Sequence, residues 1–147
     1  MHTEASIEMA ADAPRIYPLA AGIERWPELL PHYRWVRVLR ADGPTRLVEM
    51  AAQRNGFPVR WWAEQRLDPE TPCITFRHVR GVTRGMDVAW LFEPVAGGTL
   101  VRITHDFEPD WPFGDLIAEH VIGRLFVDNI AGKTLRCLKQ IVEGARP

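Results

Sequence analysis

Hydrophobic and polar residues alternate at the start of the chain, and this two-residue period returns repeatedly as far as residue 108. Within 2–10, the apolar positions are Ala5, Ile7 and Met9, with polar or charged residues between most of them. Strict alternation is typical of a half-buried strand. The first ten residues therefore predict a strand that turns one face to the core.

Two short helices are predicted after this strand. Asp12-Ala13-Pro14 indicates a helix start, because Asp caps helix N-termini and Pro is tolerated in the first turn. This helix should run through Ala21. Gly22 interrupts it, and 23–30 is expected to form a second short helix that Pro31 ends.

Strand patterns then continue, separated by short turn signals such as Asp42-Gly43-Pro44, Asn55-Gly56 and Gly97-Gly98. Turns this short join antiparallel neighbours. Six further strands are therefore predicted in sequence order. They cover residues 34–40, 46–54, 59–67, 73–79, 86–93 and 100–108.

The last segment, 114–143, changes to a helical period and contains no proline. It predicts one long C-terminal helix. Gly123 and Gly132 lie inside it, where glycine costs about 1 kcal/mol relative to alanine. Two interpretations stay open: a tolerated weakness, or a close approach to the sheet or to a ligand.

The order of these elements predicts an α+β fold in one domain spanning 1–147. Its seven-stranded antiparallel sheet has two short helices between the first and second strands. Such a sheet buries one face, and the long helix is the natural element to cover it. Nothing in the chain resembles a repeat or a linker.

Composition narrows the possible functions. A net charge of −1 argues against nucleic acid as the main partner. No apolar run approaches the ~20 residues that span a bilayer, so we expect a cytoplasmic protein without a membrane partner. Cys73 and Cys137 are interpreted as reduced thiols, although a disulfide stays open.

Motifs for cofactors are missing from the sequence. It has no Gly-rich phosphate loop and no H-E-x-x-H, and its five histidines form no tight metal-ligand pattern. We therefore expect no metal and no cofactor. Any chemistry would rest on side chains in a cavity.

A resemblance to a known family is carried by short motifs distributed over nearly the whole chain. The sequence resembles the START-like, or Bet v 1-like, superfamily, and within it the polyketide cyclase/dehydrase group that includes aromatase/cyclases. The matching segments are Asp12-Ala13-Pro14, 23–29, Tyr33, 62–66, Trp90, 95–99 and the final helix.

This resemblance implies a helix-grip fold, in which the sheet wraps around the long helix and encloses a cavity. It also implies a cofactor-independent aromatase/cyclase that closes and dehydrates a ring in a carrier-bound poly-β-ketone. An acyl carrier protein is then a partner, and the chain is a monomer or a homodimer. The alternative function is non-catalytic binding of a lipid, quinone or aromatic metabolite.

The resemblance also implies roles for individual residues. The Trp-x-Glu-x-Arg pattern makes Arg66 the group that polarises a ketone, since a guanidinium stabilises a developing oxyanion. Tyr33, Glu64 and His105 are the candidates for proton transfer. The residues expected to bind substrate are Trp26, Trp62, Trp90, Arg60, Met86, Val88 and Phe92.

One strand presents a conflict about which face lines the cavity. Burial alone favours the face that carries Val59, Trp61 and Ala63. The resemblance instead turns Arg60, Trp62, Glu64 and Arg66 inward. Our interpretation follows the resemblance. Trp90 on a later strand is expected to face inward in either case.

Overall fold

The computed structural model describes residues 1–54, 56–81, 83–108 and 123–144, and its strands form one seven-stranded antiparallel sheet. The strand order is β1-β7-β6-β5-β4-β3-β2, so β1 and β2 are the edges. The bounds are β1 His2–Met9, β2 Tyr33–Asp42, β3 Thr45–Arg54, β4 Phe57–Asp68, β5 Cys73–Arg80, β6 Asp87–Val95 and β7 Gly98–Asp106. The predicted sheet is confirmed.

Two short helices follow β1, as predicted. Helix α1 spans Ala13–Ala21 and buries Ile16. A 3₁₀ turn over Ile23–Arg25 leads into α2, which is a single turn over Trp26–Leu29. Proline in the first turn of each α-helix costs no hydrogen bond, because those N–H groups have no partner within the helix.

The C-terminal helix has two parts in its described length. A π-helical segment over Arg124–Ala131 is followed by α3 over Gly132–Gly144, so Gly132 lies at the junction. The predicted helical residues 114–122 lie outside the described part of the chain. π-helical segments are rare and often occur at functional sites. Among the described residues, no helix is long and apolar enough to cross a bilayer.

Polar contacts fix α3 to the first strand and the first helix. The ammonium of Lys139 donates to the Glu8 carbonyl at 2.7 Å, and Glu143 accepts from the Ala10 amide at 3.0 Å. Arg15 of α1 donates to the Val142 carbonyl at 3.0 Å. The helix therefore covers the inner face of the sheet, which is the helix-grip arrangement.

The start of β7 comes unusually close to the end of β1. A Cβ atom at Gly98 would lie 1.9 Å from the Met9 carbonyl oxygen. No side chain fits there, so the residue must be glycine. Next to it, the Thr99 hydroxyl donates to the Ala11 carbonyl at 2.8 Å.

Candidate functional site

A cavity of about 50 Å³ lies between the inner face of the sheet and the C-terminal helix. Helix residues Ile130, Ala131 and Thr134 form one wall. The rest of the described lining comes mainly from the strands and α2, and much of it is aromatic. The aromatic lining residues are Trp26, Tyr33, Trp61, Phe76 and Trp90.

The aromatic rings form a continuous packed layer. Trp26 meets Tyr33 edge-on, with 4.9 Å between ring centroids, and lies 5.8 Å from Trp90. Tyr33 in turn lies 6.1 Å from Trp61. The indole N–H of Trp26 donates to the Leu19 carbonyl at 2.9 Å, so burial leaves it satisfied. These contacts give the cavity a shaped, largely apolar wall.

His78 is held rigidly at one side of this cavity. Its ring is stacked on Trp61, with an interplanar angle of 10°, and its Nδ1 lies 2.7 Å from the Thr83 hydroxyl. Its backbone N–H donates to the Met86 carbonyl. Thr83 is itself buried, so the loop between β5 and β6 fixes the orientation of the imidazole.

The two cavity histidines are uncharged at neutral pH. Burial lowers the pKa of His78 to about 3, and the nearby His105 adds to that shift. Burial also lowers the pKa of His105 to about 4, against the opposing effect of Asp106. A neutral imidazole carries one lone pair, so each ring can accept a proton.

Tyr33 and Thr134 supply hydroxyl groups to the cavity. Burial raises the pKa of Tyr33 far above its ordinary value, so its phenol stays protonated, although Thr134 opposes the shift. The Thr134 hydroxyl donates to the Ile130 carbonyl at 2.7 Å. It lies 2.9 Å from Nε2 of His32 and accepts a hydrogen bond from that ring. The cavity therefore combines proton acceptors with hydrogen-bond donors.

The cavity is small for a ring-sized ligand. In another protein, a cavity of about 150 Å³ holds one benzene molecule. The present 50 Å³ has room for only a few water molecules. A ligand with an aromatic ring would therefore require lining side chains to move.

The expected inward face of β4 was wrong. Arg60, Glu64 and Arg66 are exposed, whereas Trp61 and Ala63 on the opposite face are buried. Turning two guanidinium groups and a carboxylate into an apolar cavity would cost more than burying Trp and Ala. Arg66 and Glu64 are therefore outside the cavity.

Trp62 also lies on the outer face, where it is half-buried. The guanidinium groups of Arg60 and Arg80 lie 4.7 Å and 5.0 Å from the centroid of its ring. These cation–π contacts explain how a large aromatic side chain is accommodated there. Trp62 and Arg60 were both expected to line the cavity, and neither does.

Other candidates lie closer to their expected positions. Tyr33, His105, Trp26, Val88 and Trp90 all line the cavity. Their roles in binding or catalysis stay predictions.

The remaining two candidates, Met86 and Phe92, are buried but do not line the cavity. Phe92 packs against Trp90 at 6.4 Å between centroids and against Tyr17 at 5.4 Å. Its place is behind the cavity wall, in the hydrophobic core.

Among the lining residues that sequence reasoning did not select, Trp61, His78 and Thr134 matter most to the chemistry of the site. Alternation on β5 could have found His78, because it shares a face with the buried Ile74 and Phe76. Thr134 had no comparable signal, since its role depends on contacts with a distant loop. Among the described residues, no group of three or more His, Cys, Asp or Glu side chains could hold a metal ion.

Comparison with known proteins gives consistent matches. The family described as "Polyketide cyclase / dehydrase and lipid transport" matches residues 9–134. A putative polyketide cyclase from Streptomyces cyaneus is 32% identical over 128 residues, which cover 84% of each chain.

Two further matches differ in how much of the relative they cover. The granaticin polyketide synthase bifunctional cyclase/dehydratase from Streptomyces violaceoruber is 33% identical over 71% of this chain, but the match spans only 33% of that protein. The crystal structure of TTHA0849 from Thermus thermophilus is 26% identical, with a TM-score of 0.82 over 100% of both chains. The fold is also shared with a START superfamily protein.

Proposed function

Since the chain belongs to the polyketide cyclase/dehydrase and lipid transport family, we propose that it is an aromatase/cyclase. It folds a poly-β-ketone in its cavity, closes a ring by aldol condensation and removes water. One observation carries this proposal: two neutral imidazoles and a protonated phenol meet in an otherwise apolar cavity.

Ring closure begins with removal of a proton from a methylene between two ketones. His78 is suited to accept it. When its Nδ1–H donates to Thr83, the ring presents the lone pair of Nε2, and the stacked Trp61 holds its plane. His105 is the second acceptor on the same face of the sheet.

The carbanion then attacks a ketone carbon, and the new alkoxide takes up a proton. Tyr33 stays protonated in its buried position, so it can hydrogen-bond the ketone and stabilise the alkoxide. Dehydration follows when an imidazole removes a second proton from the same methylene carbon and passes it to the departing hydroxyl, which leaves as water. The aromatic layer orients the folded chain, which brings the reacting carbons together.

An acyl carrier protein is part of this proposal, because the substrate chain would be tethered. A patch on the outer face of the sheet supports such docking. It contains Trp35 with Arg37 4.4 Å from its ring centroid, and Trp62 with Arg60 and Arg80. Trp and Arg are enriched in binding hot spots, and an acidic surface would complement the patch.

The second candidate function is binding without catalysis. The 50 Å³ cavity favours it in one respect, because it fits no polyketide without rearrangement. A quinone or lipid would then occupy the opened cavity, and the histidines would only hydrogen-bond to it.

The test is product analysis after reconstitution with a minimal aromatic polyketide synthase. Wild-type protein should replace spontaneous products with one cyclised aromatic, and His78→Gln and His105→Gln should each lower that yield by ~10²-fold. Arg66→Ala is the matched control and should leave the yield unchanged. Unaltered spontaneous products with several chain lengths would indicate binding alone.

The carrier is tested separately in the same assay. Arg60→Glu combined with Arg80→Glu should raise the KM for the carrier-bound chain and leave kcat unchanged, while Arg77→Glu on the same face should change neither. Equal effects of both charge reversals would place docking elsewhere.

A further inference from the structure

A surface groove of about 490 Å³ lies between α3, the residues that precede β2 and the end of β3. Its described lining carries basic and amide groups from two elements of the fold. The residues that matter here are His32 and Gln53 from the sheet side and Lys133, Arg136 and Gln140 from α3. Among the described residues that line it, none is acidic.

The two cationic side chains of this groove have no acidic partner in the part of the chain that the structure describes. Lys133 is half-buried and Arg136 exposed, and within the described residues neither forms an ion pair or a side-chain hydrogen bond. They lie one turn apart on α3, on the side that faces His32. The pKa of His32 is lowered to about 4, mainly by burial and further by the positive charges of Lys133 and Arg136, although a hydrogen bond to the Ile130 backbone opposes the shift. The two cations are therefore close enough to act on the imidazole.

His32 connects the groove to the cavity. It is 7% exposed and lines the groove, while its Nε2–H donates at 2.9 Å to Thr134, which lines the cavity. Its ring also packs 4.7 Å from that of Tyr33. Because Nε2 bonds to Thr134, protonation of His32 takes place at its other ring nitrogen, Nδ1.

We propose that this groove is a binding site for a phosphate group. Lys133 supplies a point charge, Arg136 a forked pair of N–H donors, and His32 a third cation once the anion is present. Phosphate offers several oxygens and up to two charges to such a donor set. Gln53 and Gln140 add amide donors at the margin. Lys133, Arg136 and His32 are not among the catalytic groups proposed above.

The experiment titrates isotopically labelled protein with inorganic phosphate near pH 6.5, with sodium chloride at matched ionic strength as the reference. Phosphate should shift the His32 and Lys133 NMR signals to saturation and raise the pKa of His32. The groups that face His32 are Lys133 and Arg136 from α3 and Tyr33 beside it. Chloride should produce only a small, unsaturable shift.

Matched variants identify the residues responsible. Lys133→Met and Arg136→Met should each weaken phosphate binding by about tenfold, as loss of one hydrogen bond to a charged group does. Arg77→Met, which removes the same charge from the outer face of the sheet, should not weaken it. Equal affinity in the Lys133→Met/Arg136→Met double variant, or a phosphate response no different from chloride, would overturn the proposal.

Titration with butyl phosphate shows whether the groove binds a phosphate ester or free phosphate. If it binds at least as tightly as inorganic phosphate, the natural ligand is a phosphate ester, and if only inorganic phosphate binds, it is the free anion. Both outcomes support a phosphate site. The readout does not depend on ring closure, so a protein that forms no cyclised product can still confirm this inference.

Discussion

The outer face of the sheet carries charged side chains and the inner face carries apolar or neutral ones, and β4 contributes residues to each face. Its inner side chains Trp61, Ala63 and Gln65 are buried, and the only polar one of these three is hydrogen-bonded through both its oxygen and its nitrogen. Its outer side chains Glu64 and Arg66 are exposed. Solvent hydrates the outer charges at little cost, whereas the inner face accepts only polar groups that stay neutral or find partners.

Histidines show the same difference. On the outer face, hydrogen bonds that the exposed His2 donates to Asp106 and Glu4 raise its pKa. On the inner face, burial lowers the pKa of His78 and His105. The same side chain is thus more readily a cation on one face and a neutral base on the other. Both inner imidazoles therefore hold an unprotonated nitrogen at neutral pH.

The largest expected effect is loss of stability in acid. His78, His105 and His32 have pKa values of about 3 to 4 when folded, against about 6.5 when unfolded. Below pH 6.5 the unfolded chain binds more protons, so the free energy of unfolding should fall as the pH drops toward 4. Each histidine contributes up to about 1.4 kcal/mol per pH unit.

Urea unfolding at pH 7.5, 6.5, 5.5 and 4.5 measures this slope. His78→Gln should reduce the slope between pH 6.5 and 4.5, whereas His2→Gln on the outer face should not reduce it. A flat profile below pH 6.5 would mean that the inner histidines are hydrated and that the two faces do not differ as described.

The second-largest expected effect is a difference in stability between variants of two neighbouring tryptophans. Trp61→Ala removes a ring that packs against Tyr33 and His78, and should cost about 3–5 kcal/mol of unfolding free energy. Trp62→Ala removes a half-exposed ring with two arginine contacts and should cost about 1 kcal/mol. Equal losses in urea unfolding would contradict the assignment of the two faces.

Local patterns were enough to predict most of the fold. Alternation and turn residues predicted every strand, because side-chain period and turn chemistry are encoded within a few residues. The division of the C-terminal helix into π-helical and α-helical parts was not predictable in this way. It depends on packing against distant parts of the chain, of which the bond between Thr134 and His32 is one example.

The site was harder to predict because it required a choice between two faces. Val59, Trp61 and Ala63 carried the correct signal for burial, but the resemblance assigned a role to Arg66 on the other side. The resemblance predicted the strand correctly, but the arginine that it placed in the cavity lies on the outer face. His78 was predictable from its place after Ile74 and Phe76, whereas its contact with Thr83 was not, because that contact depends on how the loop folds back.

The smallest expected effect tests whether the inner face requires satisfied polar groups. Gln65 is fully buried, accepts two hydrogen bonds from Arg46 at 2.8 and 2.6 Å, and donates to the Ala21 carbonyl at 3.2 Å. Gln65→Leu leaves Arg46 and Ala21 without this partner and should cost about 1–3 kcal/mol in urea unfolding. Glu64→Leu on the outer face should stay within about 0.5 kcal/mol of wild type. A neutral Gln65→Leu would mean that apolar contact replaces the lost bonds, and the inner face would then select for shape rather than for hydrogen bonding.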